Sequence, residues 1–231
     1  MIDLHGFGAQ LLAGTLITLQ LAMSALVVGL VLGLLGALAK LSPIRPLRWL
    51  GDGYSTLLRG LPEFLVVLTF YFGASGVLMA IASQFGYDEY IDVNAFAAGT
   101  AALGVIFGAY ASELFRGSIL AIPPGQREAA LALGMTRGQT FRRITLPQVW
   151  RVALPGLGNL FMILMKDTAL VSVVGLEELM RVTAFAVGRT KEPFTFYLAA
   201  AVIYLVLTAI ATYGLKRLEA RTNIGIRGGA Q

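Results

Sequence analysis

Residues 128–147 read EAALALGMTRGQTFRRITLP, a polar, arginine-bearing stretch unlike almost everything around it. The 231-residue chain is 57% hydrophobic and only 13% charged, with a mean hydropathy of +0.75, whereas soluble domains carry about 25% charge. Apolar runs at about 11–39, 62–83, 95–115, 152–174 and 194–215 approach or exceed the roughly 20 residues an α-helix needs to cross about 30 Å of hydrocarbon. They are continuous rather than alternating, which selects helices over a transmembrane barrel. The expected fold is an all-α integral membrane protein of five spans, a single transmembrane domain over residues 1–231 with a polar connection at about 116–151. Residues 128–147 lie in that connection, so they face something other than lipid.

Charge orders the connections. Lys40, Arg45, Arg48 and Arg59 outweigh Asp52 in the first, and the second holds Asp88, Glu89 and Asp92 with no base. Arg116, Arg127, Arg137, Arg142, Arg143 and Arg151 outweigh Glu128 in the third. Arg181, Arg189 and Lys191 balance Glu177, Glu178 and Glu192 in the fourth, and Lys216, Arg217, Arg221 and Arg227 outweigh Glu219 in the tail. The resulting +3, −3, +5, 0, +3 alternation satisfies the positive-inside rule with the N-terminus outside and the C-terminus in the cytoplasm. The net charge of +5 is thus a topology signal, and no nucleic-acid partner is expected. With no cysteine there is no disulfide, thiolate metal site or cysteine nucleophile, and the N-terminal MIDLHGFGAQ lacks the basic region of a cleavable signal.

Local signals add detail. The first span is longer than a perpendicular crossing requires, which implies tilt or an interfacial start. Its Gly29 and Gly33 either admit a neighbouring helix closely or reflect the general abundance of glycine in membrane helices. Residues 40–61 read as a loop broken by Pro43 and Pro46. Between Pro123 and Pro147 the pattern is two short helices around a break: Pro124 and Gly125 open the first, with Glu128 in its first turn at the positive end of the dipole. Ala129, Ala130 and Leu133 give it a shallow apolar face, and Gly134 ends it. Thr136 and Gln139 have capping-box spacing for the second, Phe141 and Ile144 form its apolar edge, and Pro147 stops it. Such a unit is shaped to enter a partner's groove, with Arg137 and its neighbours free to pair with carboxylates there.

Glu128-Ala129-Ala130, Gly134, Ile144 and Leu146-Pro147 resemble, in type and spacing, the EAA signature of ATP-binding cassette importer permeases. The resemblance continues through Leu58-Arg59-Gly60-Leu61-Pro62, Phe115-Arg116-Gly117 and the run from Lys166 to Glu177, and these resemble the polar amino-acid branch serving histidine, arginine, lysine, glutamine or opines, in particular its Q-type subunits. It implies a type I importer fold in a bacterial inner membrane, with residues 128–134 inserted into a dimeric ATPase and 136–147 bracing them against the fourth span. It also implies a sister permease chain or second copy, an extracytoplasmic solute-binding protein, and ATP and magnesium held by the ATPase. The chain itself has no G-x-x-x-x-G-K-[ST] phosphate loop, so any ATP chemistry requires a separate subunit, and no cofactor is expected in this chain.

For the substrate path, Lys166 and Asp167 form an adjacent ionisable pair within a span. Such residues face a bundle interior or wet cavity, or lie near a helix end, and adjacent helical positions point about 100° apart. Asp167 is the preferred path-lining group, matching an acidic position that contacts the substrate side chain in some basic amino-acid permeases. Asn159, Glu113 and Tyr110 are weaker candidates that also suit interhelical hydrogen bonding; His5, the only histidine, is given no role. Competing readings are an ion-coupled carrier, which leaves residues 128–147 unexplained, and an intramembrane enzyme, for which no His-Glu-x-x-His or Gly-x-Ser-x-Gly set exists.

Overall fold

The computed structural model describes residues 4–86 and 93–222. Helix α1 is Gly8–Lys40, α2 Arg45–Gly60, α3 Glu63–Ser83 and α4 Ala95–Leu120. Short helices α5, Pro124–Ala132, and α6, Arg137–Thr140, lead through a π-turn at Phe141–Thr145 into α7, Leu146–Asp167. A 3-10 segment, Thr168–Val174, precedes α8, Leu179–Thr190, and α9, Pro193–Thr222. Five of the resulting helical stretches are long and apolar enough to cross a membrane: Gly8–Lys40, Glu63–Ser83, Ala95–Leu120, Arg137–Val174 and Pro193–Thr222.

The centre of the bundle is the α1–α4 pair, and small residues bring it together. A Cβ added at Gly29 would lie 2.5 Å from the Phe107 ring, and one at Gly33 would lie 2.6 Å from the Ala111 Cβ. Gly36 meets Ser112 one turn further on, so the contacts advance in the same direction on both helices and the pair is parallel. Lipid supplies no hydrophobic drive for helix association, and close van der Waals packing of this kind takes its place. The structure therefore decides the open question about Gly29 and Gly33: they are a helix contact. Helix α7 runs antiparallel to α4, with Gly156 against Leu114, and α9 antiparallel to α7, where Thr212 Oγ1 approaches Met162 Sδ at 3.3 Å. The C-termini of α1, α4 and α9 consequently share one end of the bundle. The outer faces remain apolar, as with Leu12, Val27 and Val31 on α1 and Leu205 and Ile210 on α9.

At the other end, α8 packs on the first turns of α1. Glu178 is fully buried: its Oε1 accepts from the Arg181 backbone N–H at 2.9 Å, capping α8, and its Oε2 accepts from Thr18 Oγ1 at 3.2 Å. The Leu179 backbone N–H donates to the same threonine at 3.1 Å, so α1 and α8 are joined through one polar knot. Burial pushes the Glu178 carboxyl above its ordinary pKa, against the lowering effect of the backbone N–H groups and Thr18.

Several expectations are corrected. Residues 40–61 are largely the helix α2, because Pro46 falls in its first turn, where proline is favoured rather than disruptive. The connection after the fourth span holds helix α8. Pro147 does not stop a helix: it sits in the first turn of α7, and the π-turn before it lets the chain run on from α6. Helix α5 starts at Pro124, which leaves Glu128 just past its first turn. The third span extends to Leu120 and the fourth begins earlier than residue 152 and loses its α-helical form after Asp167. Asp88, Glu89, Asp92 and Arg227 lie outside the described residues.

Candidate functional site

Two regions carry polar chemistry. The first is the connection between α4 and α7. Gly134 has φ +81°, the left-handed conformation that ends α5, and a Cβ there would meet nothing within 4 Å. Thr136 caps α6 in a full capping box: its Oγ1 accepts from the Gln139 N–H at 3.2 Å, and Gln139 Oε1 accepts from the Thr136 N–H at 2.9 Å. Ala130 is turned inward, whereas Leu133 is 85% exposed and Glu128, Ala129 and Arg137 are also exposed. Glu128, Ala129, Leu133 and Gly134 are therefore exposed together, with Ala130 serving as packing. Of the other residues expected to couple, Ile144, Leu146 and Phe141 are half-buried where the π-turn enters α7, and Pro147 is exposed. A cleft of about 660 Å³ runs between this connection and the ends of α1 and α4, bordered by Leu38, Leu120, Arg127, Arg137 and Thr140.

The second is a pocket of about 140 Å³ between α3, α4 and α7. That is close to the roughly 150 Å³ cavity known to hold a benzene-sized molecule. Leu103, Ile106, Phe107 and Leu164 give apolar walls, and Glu63, Tyr110 and Asp167 are its polar groups. Glu63, Asp167 and Tyr110 line the pocket together, close enough for the Glu63 charge to act on both of the others. Two carboxylates this close repel one another unless a proton or a cation stands between them.

Asp167 reaches this pocket because α7 ends at it; Lys166, one position earlier, points outward and is exposed. Tyr110 lines the pocket and Asn159 does not. Glu113 belongs to a separate ion cluster: Lys40 Nζ lies 2.6 Å away, Arg116 Nε 3.0 Å and Arg59 Nη1 3.6 Å, and Lys40 also bonds Ser55. Sequence reasoning missed Glu63 by treating it as the edge of a span. Its signal was available: a carboxylate entering an otherwise apolar run, next to the helix break at Gly60-Leu61-Pro62. His5 Nε2 lies 3.2 Å from Glu192 Oε1, far from either region in the chain's architecture.

Comparison with known proteins places this geometry. The family model described as "Binding-protein-dependent transport system inner membrane component" matches residues 12–224. The nopaline transport system permease protein NocQ of Agrobacterium fabrum is 44% identical over 223 residues, covering 96% of this chain and 94% of that protein. The histidine/lysine/arginine/ornithine transport system permease protein HisQ of Salmonella typhimurium is 43% identical over 224 residues, covering 97% and 98%. Among solved structures, the crystal structure of an amino acid ABC transporter with histidines matches with a TM-score of 0.79 at 33% identity, covering 96% of this chain and 99% of that one. The likeness runs through the bundle and both polar regions, and the chain belongs to the binding-protein-dependent transport system inner membrane component family as a non-catalytic permease subunit.

Proposed function

We propose that the chain is the permease subunit of an importer for a cationic amino acid, and that Glu63 and Asp167 receive the cargo's positive group. The paired carboxylates in an apolar-walled pocket carry this reading. A guanidinium or ammonium between them replaces mutual repulsion with charge-assisted hydrogen bonds. The relatives named for histidine, lysine, arginine and ornithine, and for nopaline, support the substrate class. In this reading the N-terminus lies outside and the basic end of the bundle in the cytoplasm of a bacterial inner membrane. An ATPase dimer, holding ATP and magnesium, docks on Glu128–Gly134 and drives the bundle between two accessible states. Cargo arrives on an extracytoplasmic binding protein, and a sister permease or second copy completes the path.

The test is to purify the chain with its native partners, identify them, and measure ATP hydrolysis with the binding protein and a panel of amino acids. Stimulation by arginine, lysine or histidine above glutamine supports the reading. Stimulation confined to uncharged amino acids refutes the assignment of the carboxylate pair.

A further inference from the structure

Arg59 is the last side chain before the helix break that brings Glu63 to the pocket, and it reaches back to α4. Its guanidinium carbon lies 5.6 Å from the centroid of the Tyr110 ring, and its Nη1 lies 3.6 Å from Glu113 Oε1. Glu113 is already held by two closer cations, the buried Lys40 and the partly exposed Arg116. Arg59 is thus surplus to the neutralisation of that carboxylate, and at 44% exposure it is far more open than Lys40 at 1%. Tyr110, against which it rests, is also a wall of the pocket. The other α4 residues of the pocket, Leu103, Ile106 and Phe107, precede Tyr110, so Arg59 stands at the pocket's end nearest the connection to α5.

We propose that Arg59 determines release: a partly exposed guanidinium, held on Tyr110 and Glu113 at the coupling-segment end of the pocket, weakens the hold of Glu63 and Asp167 on a cationic cargo. This rests on the reading of those carboxylates as the cargo site. Two like charges on the order of 10 Å apart at an effective dielectric of about 20 weaken binding roughly tenfold. An uncharged cargo side chain escapes that penalty. Arg59 is therefore a specificity and release device rather than another ligand, since it repels the group that the pocket attracts.

The experiment is equilibrium binding of radiolabelled L-arginine and L-glutamine to the assembled, nucleotide-free transporter in lipid nanodiscs, without binding protein. Arg59→Gln and Arg59→Met are expected to bind arginine about tenfold more tightly than wild type, with glutamine affinity unchanged, while Arg59→Lys keeps the wild-type value. In proteoliposomes preloaded with arginine, uptake by Arg59→Gln is expected to stall at about tenfold lower internal arginine. Equal tightening for arginine and glutamine would overturn the proposal by showing a general loosening of the pocket. Asp167→Asn separates the two ideas: weakened arginine binding there with no change in either neutral Arg59 variant sinks the Arg59 proposal alone. Wild-type arginine binding by Asp167→Asn removes the cargo site and this proposal with it.

Discussion

Replacing Gly33 by alanine tests the helix pair from which the pocket hangs. The new Cβ would lie 2.6 Å from the Ala111 Cβ, 3.2 Å from the Ala111 carbonyl carbon and 3.3 Å from the Gly108 oxygen. Carbon atoms settle at about 3.5–4.0 Å, so the shortest contact is too close by about 1 Å. The obstacle is another helix rather than a flexible side-chain tip, and Gly29 and Gly36 hold the same helix close on either side. Overpacking of this kind costs about 1–3 kcal/mol, and the better helix propensity of alanine returns at most about 1 kcal/mol. A net loss of about 1–2 kcal/mol is predicted for Gly33→Ala. Ala111→Gly removes the atom at the shortest distance, so the double variant is expected to recover about 1 kcal/mol relative to additivity. Denaturant unfolding of the purified protein in detergent, read as a double-mutant cycle, measures both quantities. A neutral Gly33→Ala, or a strictly additive pair, refutes the packing argument.

Other predictions follow from single contacts. Gly134→Asp forces a side chain into φ +81° but meets open space within the chain, so the variant is expected to insert and fold normally yet lose ATPase docking and uptake; co-purification of the ATPase at wild-type stoichiometry would contradict this. The buried Glu178 carboxyl, its pKa raised by burial, binds its proton more tightly folded than unfolded. Its contribution is therefore full below the ordinary carboxylate range and is lost as pH rises through the raised value, so wild-type Tm relative to Glu178→Gln should fall from pH 5 to pH 8. A relative rise over that interval opposes the sign. Glu178→Ala, which removes the cap of α8 and its link to Thr18, is expected to cost about 2 kcal/mol or more in the same unfolding assay, and a cost within error of Glu178→Gln would show the knot to be dispensable.

The spans were legible because continuous apolar length is a strong signal and lipid leaves few alternatives. The Thr136–Gln139 box and the left-handed Gly134 were legible for a similar reason, since each depends on neighbours in sequence. Helix α2 was obscured by Pro43 just before it and Pro46 within it, since the effect of a proline depends on whether it falls in a first turn or an interior. The path through Pro147 depends on a π-turn that composition does not announce. Leu133 is exposed and Ala130 buried because α5 folds against α6 and the π-turn, whereas a helical face drawn from spacing alone put them together. The pocket needed α3, α4 and α7 at once: Asp167 was visible as a charge in a span, but its meeting with Glu63 joins residues far apart in the chain.

The central claim, that the Glu63–Asp167 pocket passes a cationic amino acid under the drive of a docked ATPase, is met most directly by uptake into proteoliposomes holding the assembled transporter, with ATP inside and limiting labelled L-arginine and binding protein outside. Asp167→Asn is predicted to lower ATP-dependent arginine uptake about tenfold or more, the worth of a charge-assisted hydrogen bond, while the ATPase remains bound in wild-type amount. Wild-type arginine uptake by Asp167→Asn at limiting substrate would contradict the account.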